Sequence, residues 1–128
     1  MTRAQIAYIA GLLDGEGCIH ASHSAKGRKY YTRTALSQAN YGFVTGIQEL
    51  VGLGKLCRGR KLPTGNETLR WQIHKQPEVR EFLAMIYPFL ILKKPQASIA
   101  LCLLDDPYNE VLATELKALK KRGLYGMA

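Results

Sequence analysis

The sequence predicts an α+β fold in which helices back an antiparallel sheet whose front face is polar and basic. Three observations carry this expectation. Hydrophobic spacing switches along the chain between a helical period and a two-residue period, in the order α-β-β-α-β-β-α-α-α. Each strand pair has one apolar face and one rich in Arg, Lys, His, Gln, Ser or Tyr, as a sheet covered on one side by helices requires. The net charge of +8 lies wholly between residues 20 and 75, where ten Lys and Arg residues stand against Glu49 and Glu67, and the rest of the chain is balanced. A local field of that kind suits a phosphate backbone as partner.

The first helix is expected over residues 2–14, with Thr2 as N-cap and Ile6, Ile9, Ala10 and Leu13 as a buried stripe. Ala7 and Gly11 add a second track of small residues, so this helix is expected to lie buried between layers. Residues 17–24, GCIHASHS, alternate, with Cys18 expected on one side and His20, Ser22 and Ser24 on the other. After the break AKGRK, the run YYTRTALSQ alternates again, with Lys29, Tyr31, Arg33 and Ser37 on one face; the two runs read as a hairpin. Phe43, Ile47, Leu50 and Val51 give a short helix closed by Gly52 and Gly54. KLCRGRK and ETLRWQIHK form a second hairpin around LPTGN, with Leu69, Trp71 and Ile73 opposite Arg70, Gln72 and His74.

Pro77 opens the next helix, whose apolar stripe is Val79, Phe82, Leu83 and Ile86. Pro88 interrupts it, and a further helix starts near Pro95. Asp105 and Asp106 punctuate the chain, with Asp106 as N-cap and Pro107 as first residue of the last helix. Leu112, Leu116 and Leu119 line that helix, and Lys120, Lys121 and Arg122 suit the negative end of its dipole.

A chain of 128 residues with 47% hydrophobic content reads as one domain, residues 1–128. No apolar run approaches the roughly 18 residues that span a bilayer, and the N-terminus lacks a signal-peptide pattern, so no membrane partner is expected. Cys18, Cys57 and Cys102 form no Cys-x-x-Cys or Cys/His cluster, which argues against zinc or a disulfide framework. A reducing, intracellular compartment, cytoplasm or organelle matrix, is expected. His20, His23 and His74 have no carboxylate neighbours in sequence and read as polar contacts, not metal ligands, and Trp71 reads as core.

Residues 8–17 read YIAGLLDGEG, an apolar small-residue helix run directly against two carboxylates. Ile9 to Gly17 resembles, position by position, the LAGLIDADG motif of homing endonucleases. GLGKL, LRWQI and YPFLILKKPQA fall in the order and spacing of that family, so the resemblance covers residues 5–104. It implies an αββαββα fold with an antiparallel DNA-binding sheet, here with additional C-terminal helices. One motif copy implies a homodimer, with Ala7, Ala10, Gly11 and Asp14 at the paired helices. The resemblance further implies Mg²⁺-dependent double-strand cleavage of a long, near-palindromic DNA site by an intron- or intein-associated enzyme, with no small-molecule substrate.

Under the same resemblance Glu16 is the catalytic acid, and Glu16 with the Gly15 carbonyl holds Mg²⁺, for which Mn²⁺ substitutes. Lys93 matches a lysine that stabilises charge at the scissile phosphate, and Gln38 a polar residue that arranges the active-site water. Glu stands where Asp is commoner, and Gly42 stands where homodimeric members carry a basic residue. Asp14 is assigned to structure. The residues expected on DNA are His20, Ser22, Ser24, Lys26, Arg28, Lys29, Tyr31, Arg33, Arg58, Arg60, Arg70, Gln72 and His74, with Gly59 marking a bulge that shifts the facing of Arg58 and Arg60. The alternatives are a catalytically inactive relative of the same fold (an RNA maturase or DNA-binding regulator) and a basic structural protein without a specific site.

Overall fold

The computed structural model describes residues 1–24 and 27–125, with side chains described as far as Lys120. Lys26 lies outside the described residues, as do the side chains of Lys121 and Arg122. The elements follow the expected order: α1 (Arg3–Glu16), β1 (Gly17–His23), β2 (Tyr30–Gln38), α2 (Tyr41–Val51), β3 (Lys55–Lys61), β4 (Glu67–Ile73), α3 (Gln76–Ile86), a 3-10 turn (Tyr87–Phe89), α4 (Lys94–Asp105) and α5 (Glu110–Tyr125). The strands form one sheet in the order β1-β2-β4-β3, antiparallel throughout.

The rear face of the sheet carries Ile19, Leu36, Trp71 and Ile73. They are buried with Ile9, Ala10 and Leu13 of α1, Val44 and Ile47 of α2, and Val79, Phe82, Leu83 and Ile86 of α3. Trp71 meets Phe82 edge-on at 5.5 Å and donates its indole N–H to the Leu53 carbonyl at 2.9 Å, so the ring is buried without an orphaned donor. Buried Thr32 lies where β4 has already ended. Gln76 replaces the missing strand: its side-chain oxygen accepts from the Thr32 N–H at 3.0 Å, and its amide donates to the Thr32 carbonyl at 2.9 Å. Gly54 sets the start of β3. Its φ is +79°, and a Cβ there would stand 2.5 Å from the Gln72 carbonyl oxygen, which is why GLGKL needs a glycine.

Three differences from expectation have local causes. Thr2 caps α1 in a reciprocal box with Gln5, but the helix runs on to Glu16, not 14. It stops where Gly17 turns extended and donates its N–H to the Leu13 carbonyl; a Cβ at Gly17 would overlap Leu13. The helix is also not buried between layers within this chain: Ala4, Tyr8, Gly11 and Gly15 are exposed on the side away from the core. Finally, α5 begins after Asn109, which caps it by accepting from the Leu112 N–H at 3.1 Å. Asp106 instead accepts from the Asn109 side chain at 3.0 Å, and the Pro107 carbonyl accepts from the Tyr30 N–H at 2.7 Å, fastening the loop to β2. The inner face of α5 is Ala113 and Leu116, while Leu112 and Leu119 are half-buried.

Candidate functional site

In an antiparallel ladder, residues directly opposite one another project to the same face. The register therefore assembles the front face row by row. One row runs across the whole sheet as Cys18, Ala35, Gln72 and Lys55; beside it stand Ser37, Arg70 and Cys57; beyond it stand His20 with Arg33, then Ser22 with Tyr31. The expectation that Cys18 faces away from His20 is corrected here: β1 is regular from Gly17 to His23, so Cys18, His20 and Ser22 share the front face.

Several expected contact residues lie beyond the strands. Ser24 and Arg28 belong to the loop between β1 and β2, His74 follows the end of β4, and Lys29 precedes β2 with its ammonium 5.4 Å from the Tyr31 ring centre. Gly59 does mark a bulge: Arg58 is opposite Leu69 and Lys61 opposite Glu67, so Gly59 and Arg60 together oppose Thr68. Arg58 thereby shares the rear facing of Leu69 and pairs with Glu67 at 3.5 Å, off the front face where it was expected to meet DNA. Arg60 is exposed within the bulge.

Glu16 ends α1, one residue before the strand whose Gly17 is opposite Leu36. This delivers its carboxylate to the Ser37–Arg70 row. Glu16, Cys18, Arg33, Ala35, Leu36, Ser37 and Arg70 line a cleft of about 190 Å³. Gln38, the last residue of β2, donates its side-chain amide to the Glu16 carboxylate. The Nε of Arg33 is buried without a hydrogen-bond partner, Arg70 reaches Ser37 at 3.4 Å, and among the described residues neither guanidinium is paired with a carboxylate. The front face thus holds free cationic donors around one acid.

Asp14 is used differently. Its carboxylate accepts from the backbone N–H groups of Ile91 at 2.8 Å and Lys93 at 2.9 Å, and its carbonyl accepts from the Lys93 ammonium at 2.7 Å. This clamps the segment after the 3-10 turn beneath the end of α1. Burial lowers the Lys93 pKa from its ordinary value, with Asp14 and Cys18 opposing the shift and Lys120 adding to it. Lys93 therefore stands at the Glu16 end of α1, held by Asp14.

The small-residue face divides. Gly11 and Gly15 are exposed, with open space where a Cβ would be, and Ala7 is half-buried. Ala10 is fully buried against the core of its own chain, so its assignment to an interface is corrected: it sits on the inner stripe with Ile6, Ile9 and Leu13. The Asp14 carboxylate is engaged inside the chain, although the residue is only half-buried.

Two residues at the site were not among the expected contact residues. Lys117 and Lys120 lie on α5, which packs along the open edge of β1, and the Lys120 ammonium stands 3.2 Å from His20 Nδ1. Burial, then Lys120, Arg33 and Lys117, lower the His20 pKa from 6.5. Their spacing of three placed both lysines on one helix face, the only signal available. The charge tally assigned them to the balanced remainder of the chain.

Oxygen donors suit a hard divalent cation at this site. Glu16 offers a solvent-facing carboxylate, and the last carbonyls of α1, Gly15 among them, lack intrahelical partners at the negative end of the helix dipole. Among the described residues no group of three or more His, Cys, Asp or Glu side chains could hold a metal. Among the described residues, too, no helix is long and apolar enough to cross a membrane.

Taken together, this geometry defines an α+β sheet protein that presents a cationic antiparallel surface with one acid at the tip of a half-covered helix. Compared with protein-family models and with curated proteins, the sequence matches none. Among solved structures it is similar to the homing endonuclease I-CvuI in complex with its target in the presence of Ca, at 21% identity over 91% of this chain and 82% of that one, with a TM-score of 0.74. It is similar to the archaeal intron-encoded homing endonuclease I-Vdi141I complexed with DNA, at 20% identity over 91% and 84% of the two chains, also with a TM-score of 0.74. The LAGLIDADG meganuclease I-AabMI bound to uncleaved DNA matches 90% of this chain but only 43% of its own, at 15% identity and a TM-score of 0.70. The chain has the LAGLIDADG homing-endonuclease fold.

Proposed function

We propose that this chain is a sequence-specific DNA endonuclease of the LAGLIDADG family, working as a homodimer that cuts both strands of a long, near-palindromic site. The observation that carries the reading is the position of Glu16. Its carboxylate opens into a cleft with Arg33, Ser37 and Arg70, at the tip of a helix whose other side is uncovered. A second copy packed on Gly11 and Gly15 would bring a second Glu16 beside the first, one for each strand. The match to about half of the I-AabMI chain supports a unit that works in pairs. The front-face residues His20, Ser22, Tyr31, Arg33, Arg70 and Gln72 would meet base edges and phosphates, since a twisted antiparallel ribbon fits the major groove.

Glu16 and the Gly15 carbonyl would hold Mg²⁺, or Mn²⁺ in its place, with the remaining positions filled by phosphate and water. The metal supplies charge stabilisation and an activated water when bound. The protein groups divide the rest of the work. Gln38 orients the Glu16 carboxylate, Asp14 fixes Lys93, and the Lys93 ammonium lends positive charge toward the scissile phosphate. A mobile intron or intein is the proposed origin, and a reducing, intracellular compartment the proposed location, which suits three free thiols.

The test is selection of cleaved sites from a randomised DNA library with Mg²⁺. The native protein should yield one family of near-palindromic sites, and Glu16→Gln should bind the same sites without cutting them. Cutting retained by Glu16→Gln, or binding without any nicking by the native protein in Mg²⁺ or Mn²⁺, would refute the endonuclease reading.

A further inference from the structure

The edge strand β1 and helix α5 enclose a groove of about 540 Å³. It is lined on one side by Ile19 to His23 with Tyr30, and on the other by Ala113, Thr114, Leu116, Lys117 and Lys120. His20 and Ser22 are the front-face residues of β1 that border it, and Lys120 reaches around the sheet edge to place its ammonium 3.2 Å from His20 Nδ1. An ammonium has three donors and no acceptor, so the ring nitrogen it approaches must present a lone pair. The ring is then neutral and carries its single N–H on the other nitrogen, Nε2. The other groups facing the imidazole are Arg33, opposite it on β2, and Lys117 on α5. Both are cationic donors as well. Among the described residues no charged group around the ring favours the opposite tautomer or the imidazolium.

We infer that Lys120 is a positioning residue for sequence recognition: it fixes His20 as a hydrogen-bond donor toward DNA. This rests on the DNA-binding reading above. A donor Nε2–H pairs with acceptors on a base edge, such as guanine N7 and O6, adenine N7 or thymine O4, and is opposed by the amino groups of cytosine and adenine. The opposite tautomer would reverse that preference. A lysine 100 residues away in sequence thus sets the sign of the readout at one base step of each half-site.

Two measurements test this together. In the native protein without DNA, ¹⁵N spectra of the imidazoles should show His20 as the Nε2–H tautomer. In Lys120→Met the Nδ1–H form should appear beside it, whereas Lys120→Arg, which retains a donor, should keep the single form. In site selection, Lys120→Met should lose roughly tenfold discrimination against a base bearing an amino group at one symmetry-related pair of positions, within the usual range for one direct contact. Lys120→Arg should restore it. The inference is overturned if native His20 is the Nδ1–H tautomer or a mixture. It is equally overturned if Lys120→Met weakens all sequences uniformly with a salt slope lower by about one, the behaviour of a phosphate contact. If the native protein selects no preferred sequence, the DNA-binding reading fails and the base-reading role fails with it, while the imidazole spectra still decide whether Lys120 sets the tautomer.

Discussion

Two acids separated by one residue, Asp14 and Glu16, should behave oppositely on substitution. Asp14→Ala removes two hydrogen bonds from backbone N–H groups to a carboxylate, at 2.8 and 2.9 Å. Bonds to a charged group contribute about 1.5–3 kcal/mol each when shielded. The Ile91 N–H is exposed and rehydrates cheaply, whereas the Lys93 N–H is partly buried, so the two together amount to about 3 kcal/mol. With an unfolding entropy of about 2.1 cal/mol/K per residue, a chain of 128 residues loses about 4 °C of Tm per kcal/mol. The expected fall for Asp14→Ala is therefore about 11 °C.

Glu16→Gln keeps the shape of an exposed side chain whose one partner is the amide of Gln38, so its Tm should stay within about 2 °C of the native value. Thermal melts of both variants at one pH and protein concentration provide the assay. A fall below about 4 °C for Asp14→Ala, or equal falls for the two variants, would refute the division between a structural and a working acid.

Other expected outcomes concern the exposed helix face and His20. Light scattering should give the native protein twice 14.3 kDa, and Gly11→Glu should give the monomer mass without loss of fold, because nothing lies within 4 Å of the added Cβ inside the chain; a persistent dimer would remove α1 from the interface. The folded pKa of His20 lies below 6.5 through burial and the nearby Lys120, Arg33 and Lys117. Its contribution to stability is full above 6.5 and is lost as pH falls through the folded value, since the unfolded state then binds the extra proton first. Melts between pH 7.5 and 5.5 should show Tm falling with acid more steeply in the native protein than in His20→Asn; parallel curves would exclude that linkage.

The succession of elements was legible because their signals are local. Pro77 opens α3, Thr2 caps α1, and the alternation of Leu69, Trp71 and Ile73 identifies the inner face of β4, each within a few residues. What escaped depends on chain segments meeting from far apart. Asp106 looked like a cap until Asn109 and the Tyr30–Pro107 contact drew the start of α5 three residues later. Lys120 looked like a dipole partner because His20 lies 100 residues earlier. Ala10 looked like interface because small residues serve both a tight core and a tight dimer, and only burial separates those uses.

The opposed fates of the two acids follow from helix geometry once the helix is known to reach Glu16. At 100° per residue, positions 14 and 16 point about 200° apart, so a single surface cannot receive both. Glu16 lies three residues after Leu13 and seven after Ile9, which puts it in line with the stripe that packs on the sheet. A carboxylate is tolerated there because α1 ends at the rim of the sheet, beside Gln38 and the Arg33–Arg70 cleft, where the core has given way to solvent. Asp14 turns instead toward the 3-10 segment, whose free N–H groups suit an acceptor. Gly15, between them, falls in line with Tyr8 and Gly11 on the uncovered side. One helical turn therefore addresses three surroundings at once: its own chain through Asp14, the uncovered side through Gly15, and the cationic sheet face through Glu16.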